Sequence, residues 1–129
     1  MEIIRKSNAI HKDKPDGTQV DYYLQHEYEI HYNTIPPNTI QDWHSHNIIE
    51  EVIFILDGQL EIMWLNKKVK KKETVNAGDM IRVENSVHTF ENNSDNTATF
   101  IVFKLLLNTK DNSVLFREDK NLPQNNNND

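Results

Sequence analysis

The sequence predicts an all-β fold, a sandwich or barrel of about eight strands. Three observations carry that expectation. The apolar residues fall in short runs rich in Val, Ile, Phe and Tyr, the side chains that suit a pleated, half-buried surface. Gly, Pro, Asn and Asp punctuate those runs at short intervals, as tight turns require. Before residue 108 no stretch repeats its apolar residues at a helical period between caps.

Taken in order, residues 13–17 (Asp-Lys-Pro-Asp-Gly) give the first turn signal. Residues 20–35 hold Tyr22, Tyr23, Tyr28, Ile30 and Tyr32, and from Tyr28 onward the apolar side chains take even positions. That period of two predicts a half-buried strand with an even-numbered apolar face. Pro36 and Pro37 stop it. Val52, Ile53, Phe54, Ile55 and Leu56 form an unbroken apolar run whose β-branched content favours a strand. Asp57-Gly58 is a strong turn signal, and residues 60–65 are expected to return as the partner of a β-hairpin. Residues 67–74 read as a polar segment around Val69. Five of the six residues 67–72 are Lys. A solvated edge strand guarded by its charge is favoured over an anion or nucleic-acid patch. Residues 76–79 make another turn, residues 80–83 and 87–90 short strands, residues 92–96 a turn, and residues 97–107 a long β-prone run. Residues 124–129 include four consecutive Asn and are expected to lack structure. The expected division is an N-terminal arm over residues 1–20, a barrel over 21–115 and a tail over 116–129.

Composition bounds the function. A length of 129 residues suits one domain. Lys plus Arg is 14 against 20 Asp plus Glu, a net charge of −6, which argues against a duplex nucleic-acid binder. There is no Cys, so disulfides, thiolate metal sites and Cys nucleophiles are excluded. No apolar run approaches the roughly 18 residues of a membrane span, and the first residues lack the apolar stretch of a secretory signal. A cytoplasmic protein is expected. Nor is there a phosphate loop, a dinucleotide fingerprint or a Ser-His-Asp arrangement in the needed context.

The histidines carry the chemistry. His44-Ser45-His46 places two imidazoles on one face of an extended segment. Glu51 comes five residues after His46, and His88 lies in a separate β-prone segment that can close the set. Three neutral nitrogens and one carboxylate suit Fe, Mn, Ni, Co or Zn. A His-x-His pair alone is weak evidence, since such pairs are common on strand surfaces. The surroundings make it specific. Asn38, five residues, His44-Ser45-His46, four residues, Glu51, six residues and Gly58 succeed one another, and this resembles the first motif of the cupin superfamily. Only the opening Gly of that motif is replaced, by Asn38, which tolerates a left-handed conformation. The second motif is matched by Gly78-Asp79 and by His88, three residues and Asn92. Its central Pro and Gly are missing, Glu84-Asn85-Ser86 stand there instead, and the segment from Gly78 to His88 is one residue short of the pattern.

The resemblance spans residues 28–107. It implies a double-stranded β-helix (jelly-roll) barrel with His44, His46, Glu51 and His88 holding one divalent metal ion. Glu50 is the rival carboxylate, and the six-residue spacing to Gly58 selects Glu51. Parity then puts Ile53 and Ile55 on the cavity face with Glu51. Val52, Phe54 and Leu56 point outward, against the second sheet or a partner subunit, and Glu50 lies behind the ligands or in solvent. His11, His26 and His31 are expected to be ordinary. Pocket candidates are Trp43, Arg82, Phe90, Tyr32 and Trp64, with Tyr28 and Phe103 as further walls; simple core packing is the blander role of each aromatic, and an outward, solvated guanidinium that of Arg82. Asp42 and Gln41 are candidate partners of His44.

The function this implies is a metal-dependent enzyme acting on a small oxygen-rich molecule, either a dioxygenase or an isomerase or lyase of sugar or acid substrates. The alternative is a non-catalytic small-ligand-binding cupin, a sensor or storage module, and a weaker one is a structural cupin with an unused site. The resemblance also implies a homodimer, to which Ile3 and Ile4 can contribute a crossing strand. A nucleic-acid or membrane partner is not expected.

Overall fold

Side chains alternate across each strand, and that alternation sorts this chain into two antiparallel sheets around an apolar interior. The computed structural model describes residues 1–107 and 110–123. Among them are ten strands: β1 (Ile10–Asp13), β2 (Gln19–Leu24), β3 (Glu29–Ile35), β4 (Thr39–Ile40), β5 (Ile49–Asp57), β6 (Gln59–Asn66), β7 (Val69–Asn76), β8 (Met80–Arg82), β9 (His88–Asn92) and β10 (Ala98–Leu106). A six-stranded sheet runs β1-β2-β3-β10-β5-β8 and a four-stranded sheet runs β4-β9-β6-β7. The fold is a jelly-roll barrel. Ile35, Ile53, Ile55, Leu60, Phe90 and Phe100 fill its centre, each 2% exposed or less.

Asp57-Gly58 does not close the expected hairpin. β5 already has β10 on one edge and β8 on the other, so β6 crosses into the opposite sheet and pairs with β7 and β9. Gly58 makes that corner possible. Its φ is +84°, and a Cβ there would lie 3.0 Å from Ala98 Cα and from the Thr97 carbonyl oxygen. The true hairpin is β6–β7, closed by Lys67 and Lys68 at φ of 49° and 68°, the paired left-handed conformers of a two-residue turn. The lysine-rich segment is therefore a strand, and β7 is an edge of its sheet with Lys70, Lys71 and Lys72 exposed.

Residues 20–35 hold two strands rather than one. The chain reverses where Gln25 N–H donates to the Tyr28 carbonyl (3.0 Å). In β3 the buried side chains are His31, Asn33 and Ile35, so the phase is opposite to the expected one. The even-numbered apolar residues face outward, where Ile4 of the N-terminal segment joins Tyr23, Tyr28 and Ile30 around a shallow cleft of about 310 Å³. The strand is inverted because its inner face is polar yet bonded: Asn33 donates to the His31 carbonyl (3.3 Å), and His31 bonds Glu29 (2.9 Å).

β5 keeps its expected parity. Glu51, Ile53 and Ile55 are buried, while Phe54 and Leu56 are 41% and 39% exposed. The second sheet covers the other face, so it does not cover Phe54 and Leu56. The expected boundary after residue 20 falls inside β2, and that after residue 115 falls inside a short helix, α1 (Ser113–Glu118), none of whose residues is buried. Residues 124–129 lie outside the described residues. No helix among the described residues is long and apolar enough to cross a membrane.

Candidate metal centre

Three separate segments bring the histidines and Glu51 together. Asn38 adopts φ 55°, the left-handed conformation that Gly supplies in the cupin motif. The chain then reaches His44, which bridges His88 of β9 in both directions: His44 N–H donates to the His88 carbonyl (3.0 Å), and His88 N–H to that of His44 (2.9 Å). Directly opposed residues of an antiparallel pair share a face, and the two rings stand 4.3 Å apart between centroids. His46 lies two residues on, 5.2 Å from His44 by ring centroid. Glu51 arrives from β5 in the opposite sheet.

One ligand atom each of His44, His46 and Glu51 falls within 4.8 Å of the others. His44 Nε2 is 3.6 Å from Glu51 Oε1, and His46 Nε2 touches the same oxygen. His88 stands outside that tight group, its ring 6.3 Å from that of His46. Hydrogen bonds fix two of the tautomers. A carbonyl only accepts, so His44 Nδ1–H donates to the Asp42 carbonyl (3.0 Å) and His88 Nδ1–H to that of Ser86 (2.8 Å). Each ring in its neutral form then keeps a lone pair on Nε2, the form a metal needs. Asp42 serves His44 through its backbone, not its carboxylate.

His46 Nε2, Glu51 Oε1 and His88 Nε2 are buried without a hydrogen-bond partner. Buried polar atoms are normally satisfied, and lone pairs of nitrogen and carboxylate oxygen repel one another unless a proton or a cation lies between them. The donor set of imidazole nitrogens and one carboxylate is the kind that borderline divalent ions take. These residues fit a metal ion.

Charge couples these groups. Burial pushes Glu51 up, but the His44 imidazole 3.6 Å away and the charges of His46, Lys104 and His88 more than offset it and hold the carboxyl at about 2. The Glu51 carboxylate in turn raises His44 above its ordinary value against burial. Burial lowers His88 and favours its neutral form.

Glu50 faces away from this cluster but is not in solvent. It is 7% exposed, accepts the Glu84 N–H (3.0 Å) and lies 3.6 Å from the Arg82 guanidinium. Glu84 and Asn85 have φ of 53° and 61°, so the turn that replaces the motif's Pro and Gly is held by the Glu50 carboxylate.

The pocket candidates divide. Trp64 and Phe90 line a cavity of about 720 Å³ between the free edges of β7 and β8, with Ile62, Val75 and Ile81, and His88 stands in its wall. Phe90 also packs its ring 5.3 Å from His88. Arg82 borders the cavity, but in register with Val52 it belongs to the outer face, and its side chain is 59% exposed. Tyr32 pairs with Ile101 on that outer face, away from the histidines. Trp43 is 40% exposed and lies under the Lys70 ammonium, 5.9 Å from the ring centroid. Tyr28 and Phe103 are also on the outer side. Two inward residues were missed. His31 is buried with its ring 4.6 Å from Tyr22, and Lys104 stands opposite Glu51 in the β5–β10 ladder. The signal for Lys104 was available, since it continues the alternation of Ala98, Phe100 and Val102.

A family model described as Cupin domain matches residues 31–104, which contain all four candidate ligands. A search of curated proteins finds no match. Among solved structures, a predicted oxalate decarboxylase from Thermotoga maritima superposes with a TM-score of 0.65 at 20% identity, over 82% of this chain and 100% of that one. A Cupin 2 conserved barrel domain protein from Salinispora arenicola gives 0.64 at 16% identity, over 81% and 88%. Drosophila melanogaster CENP-C bound to CAL1 gives 0.68 at 15% identity, over 76% and 77%. At these identities the likeness is one of fold. The motif spacing, the jelly roll and the family match agree, and this chain belongs to the cupin family.

Proposed function

We propose that this chain is a metal-dependent cupin acting on a small oxygen-rich molecule, with one divalent ion held by His44, His46, Glu51 and His88. The observation that carries this reading is the meeting of ligand atoms of His44, His46 and Glu51 within 4.8 Å of one another, where His46 Nε2 and Glu51 Oε1 are buried and lack a hydrogen bond, as does His88 Nε2 beside them. A divalent ion there supplies Lewis-acid polarisation of a ligand's oxygen atoms. The chain's own contribution is to set the imidazole tautomers through Asp42 and Ser86 and to offer one carboxylate charge. Ile62, Trp64, Val75, Ile81 and Phe90 supply apolar surface to the cavity next to His88. Its volume of about 720 Å³ is within the usual range for small-molecule sites.

Metal content after expression without chelator tests this. About one ion per chain in the wild type and far less in His46→Ala is the expected result, and equal low content in both refutes it. The reaction class separates by metal and atmosphere. Activity that needs iron and dioxygen marks a dioxygenase, whereas activity with Mn, Ni or Zn in anaerobic buffer marks an isomerase or lyase. The name of the Thermotoga maritima neighbour favours acid substrates among the candidates. A non-catalytic ligand-binding module predicts metal uptake and tight ligand binding with no turnover under any of these conditions.

A homodimer is part of the proposal. The outer face of the six-stranded sheet carries Phe54 beside Ile101 and Tyr32, and Val52 beside Phe103 and Ile30, with Phe54 and Phe103 41% and 36% exposed. A contiguous apolar face of this kind is uncommon on a monomer. Light scattering of the wild type and of Phe54→Asp tests it, and a monomeric wild type refutes it.

A further inference from the structure

The inner face of β10 continues past the core to a charged residue. Ala98, Phe100 and Val102 are buried in succession, and Lys104 is next on the same face. It is half-buried at the end of the barrel that holds the histidines. In the ladders it stands between Glu51 of β5 and Glu29 of β3. Its charge acts on Glu51, His44 and His31. Yet the Lys104 side chain makes no hydrogen bond or direct ion pair among the described residues. Both neighbouring carboxylates are engaged elsewhere. Glu29 bonds His31 (2.9 Å), and Glu51 belongs to the His44–His46 cluster.

Desolvating a lysine is unfavourable unless an anion faces it. A divalent ion beside Glu51 sharpens the imbalance. It takes up the charge of Glu51 and leaves Lys104 as a second cation at the same end of the barrel. We infer that Lys104 forms an anion subsite beside the His44–His46–Glu51 cluster, and that the natural ligand of the site is a carboxylate with oxygen atoms enough to face both cations. This deepens the metal reading above and rests on it. It selects acids from the oxygen-rich candidates and sets neutral sugars and diols aside. His31, in register with Val102 on the same inner face, is held against Tyr22.

Oxalate, the smallest dicarboxylate, is the probe. Manganese content is measured first, by mass spectrometry, on wild type, Lys104→Met and Lys104→Arg. Oxalate affinity of each loaded protein is then measured by calorimetry. The expected result is equal manganese in all three, with oxalate bound about tenfold or more weaker to Lys104→Met and largely restored in Lys104→Arg. Matching circular-dichroism melts show that the variants fold. Equal manganese with equal oxalate affinity in wild type and Lys104→Met overturns the inference alone, as does a loaded wild type that ignores millimolar oxalate. A wild type that takes up no manganese or any other divalent ion overturns the metal reading, and the inference with it.

Discussion

Glu51→Gln separates the charge of this carboxylate from its shape. In the metal-free protein Glu51 is 3% exposed, and its carboxyl is held at about 2 against an ordinary value of 4.5. Each tenfold difference corresponds to about 1.4 kcal/mol. The folded state therefore favours the ionised form by about 3 kcal/mol. A depressed carboxyl contributes this stability above the unfolded value, near 4.5, and loses it as pH falls toward 2. Gln imitates the protonated group. Chelator-treated Glu51→Gln is expected to be about 3 kcal/mol less stable than wild type at pH 7 in urea unfolding followed by circular dichroism. The gap shrinks below about pH 4.5 and closes near pH 2. His44 works in the opposite direction. Its raised value gives stability that is full below 6.5 and is lost as pH rises through the folded value. Loss of the Glu51 charge flattens that alkaline limb as well. Free metal at about a hundredfold its dissociation constant adds about 2.7 kcal/mol to the wild type, and none at that concentration to Glu51→Gln. A stability gap that stays constant from about pH 7 to about pH 3 refutes the electrostatic reasoning.

Other positions test the scaffold. Phe100→Ala empties the centre of the core, where the ring is 1% exposed and stacks near Phe90. It is expected to lose about 3–5 kcal/mol in the same denaturant assay. Gly58→Ala forces a Cβ against Ala98 and Thr97 at positive φ, and a drop of about 2 kcal/mol or more in unfolding free energy is expected; an unchanged midpoint disproves the crowding argument. Glu50→Ala strands the Glu84 N–H and frees the turn before His88, at about 1–3 kcal/mol. Its signature is faster amide exchange at residues 84–88, with the rest of the barrel unaffected.

The extent to which the sequence disclosed this arrangement depended on how local each signal is. Spacing within one segment was reliable. The His-x-His pair, the distance to Glu51 and the parity that buries Ile53 and Ile55 need only the geometry of an extended chain. Turn chemistry located reversals but not partners. Asp57-Gly58 is a real turn, yet the pairing of the next strand depends on which edges of β5 are already taken, and those edges belong to β8 and to β10, far along the chain. Parity failed in β3 because polarity was equated with exposure. His31 and Asn33 are buried through bonds to Glu29 and to backbone, which composition does not show. Tyr32 lies on the outer face, away from the histidines; an aromatic residue among apolar neighbours reads alike on either face. Arg82 borders the cavity with an exposed side chain, as its outward alternative had it. The lysine run was legible as an edge strand because exposed edges favour charge.

The centre joins two sheets, and this explains why its loose ends are tolerated. His88 comes from the four-stranded sheet, His44 and His46 from the segment bridged to it, and Glu51 from the six-stranded sheet. Beneath them Phe90 of one sheet meets Phe100 of the other, 6.0 Å between ring centroids. That apolar floor holds the sheets together beneath the polar groups. The barrel can therefore carry buried nitrogens and a carboxylate oxygen that lack a hydrogen-bond partner within the chain. A site built for packing alone would have matched those atoms with donors or replaced them with apolar side chains. Among the described residues, His44 and His46 from the segment bridged to one sheet meet Glu51 of the other within 4.8 Å, an arrangement that could hold a metal ion.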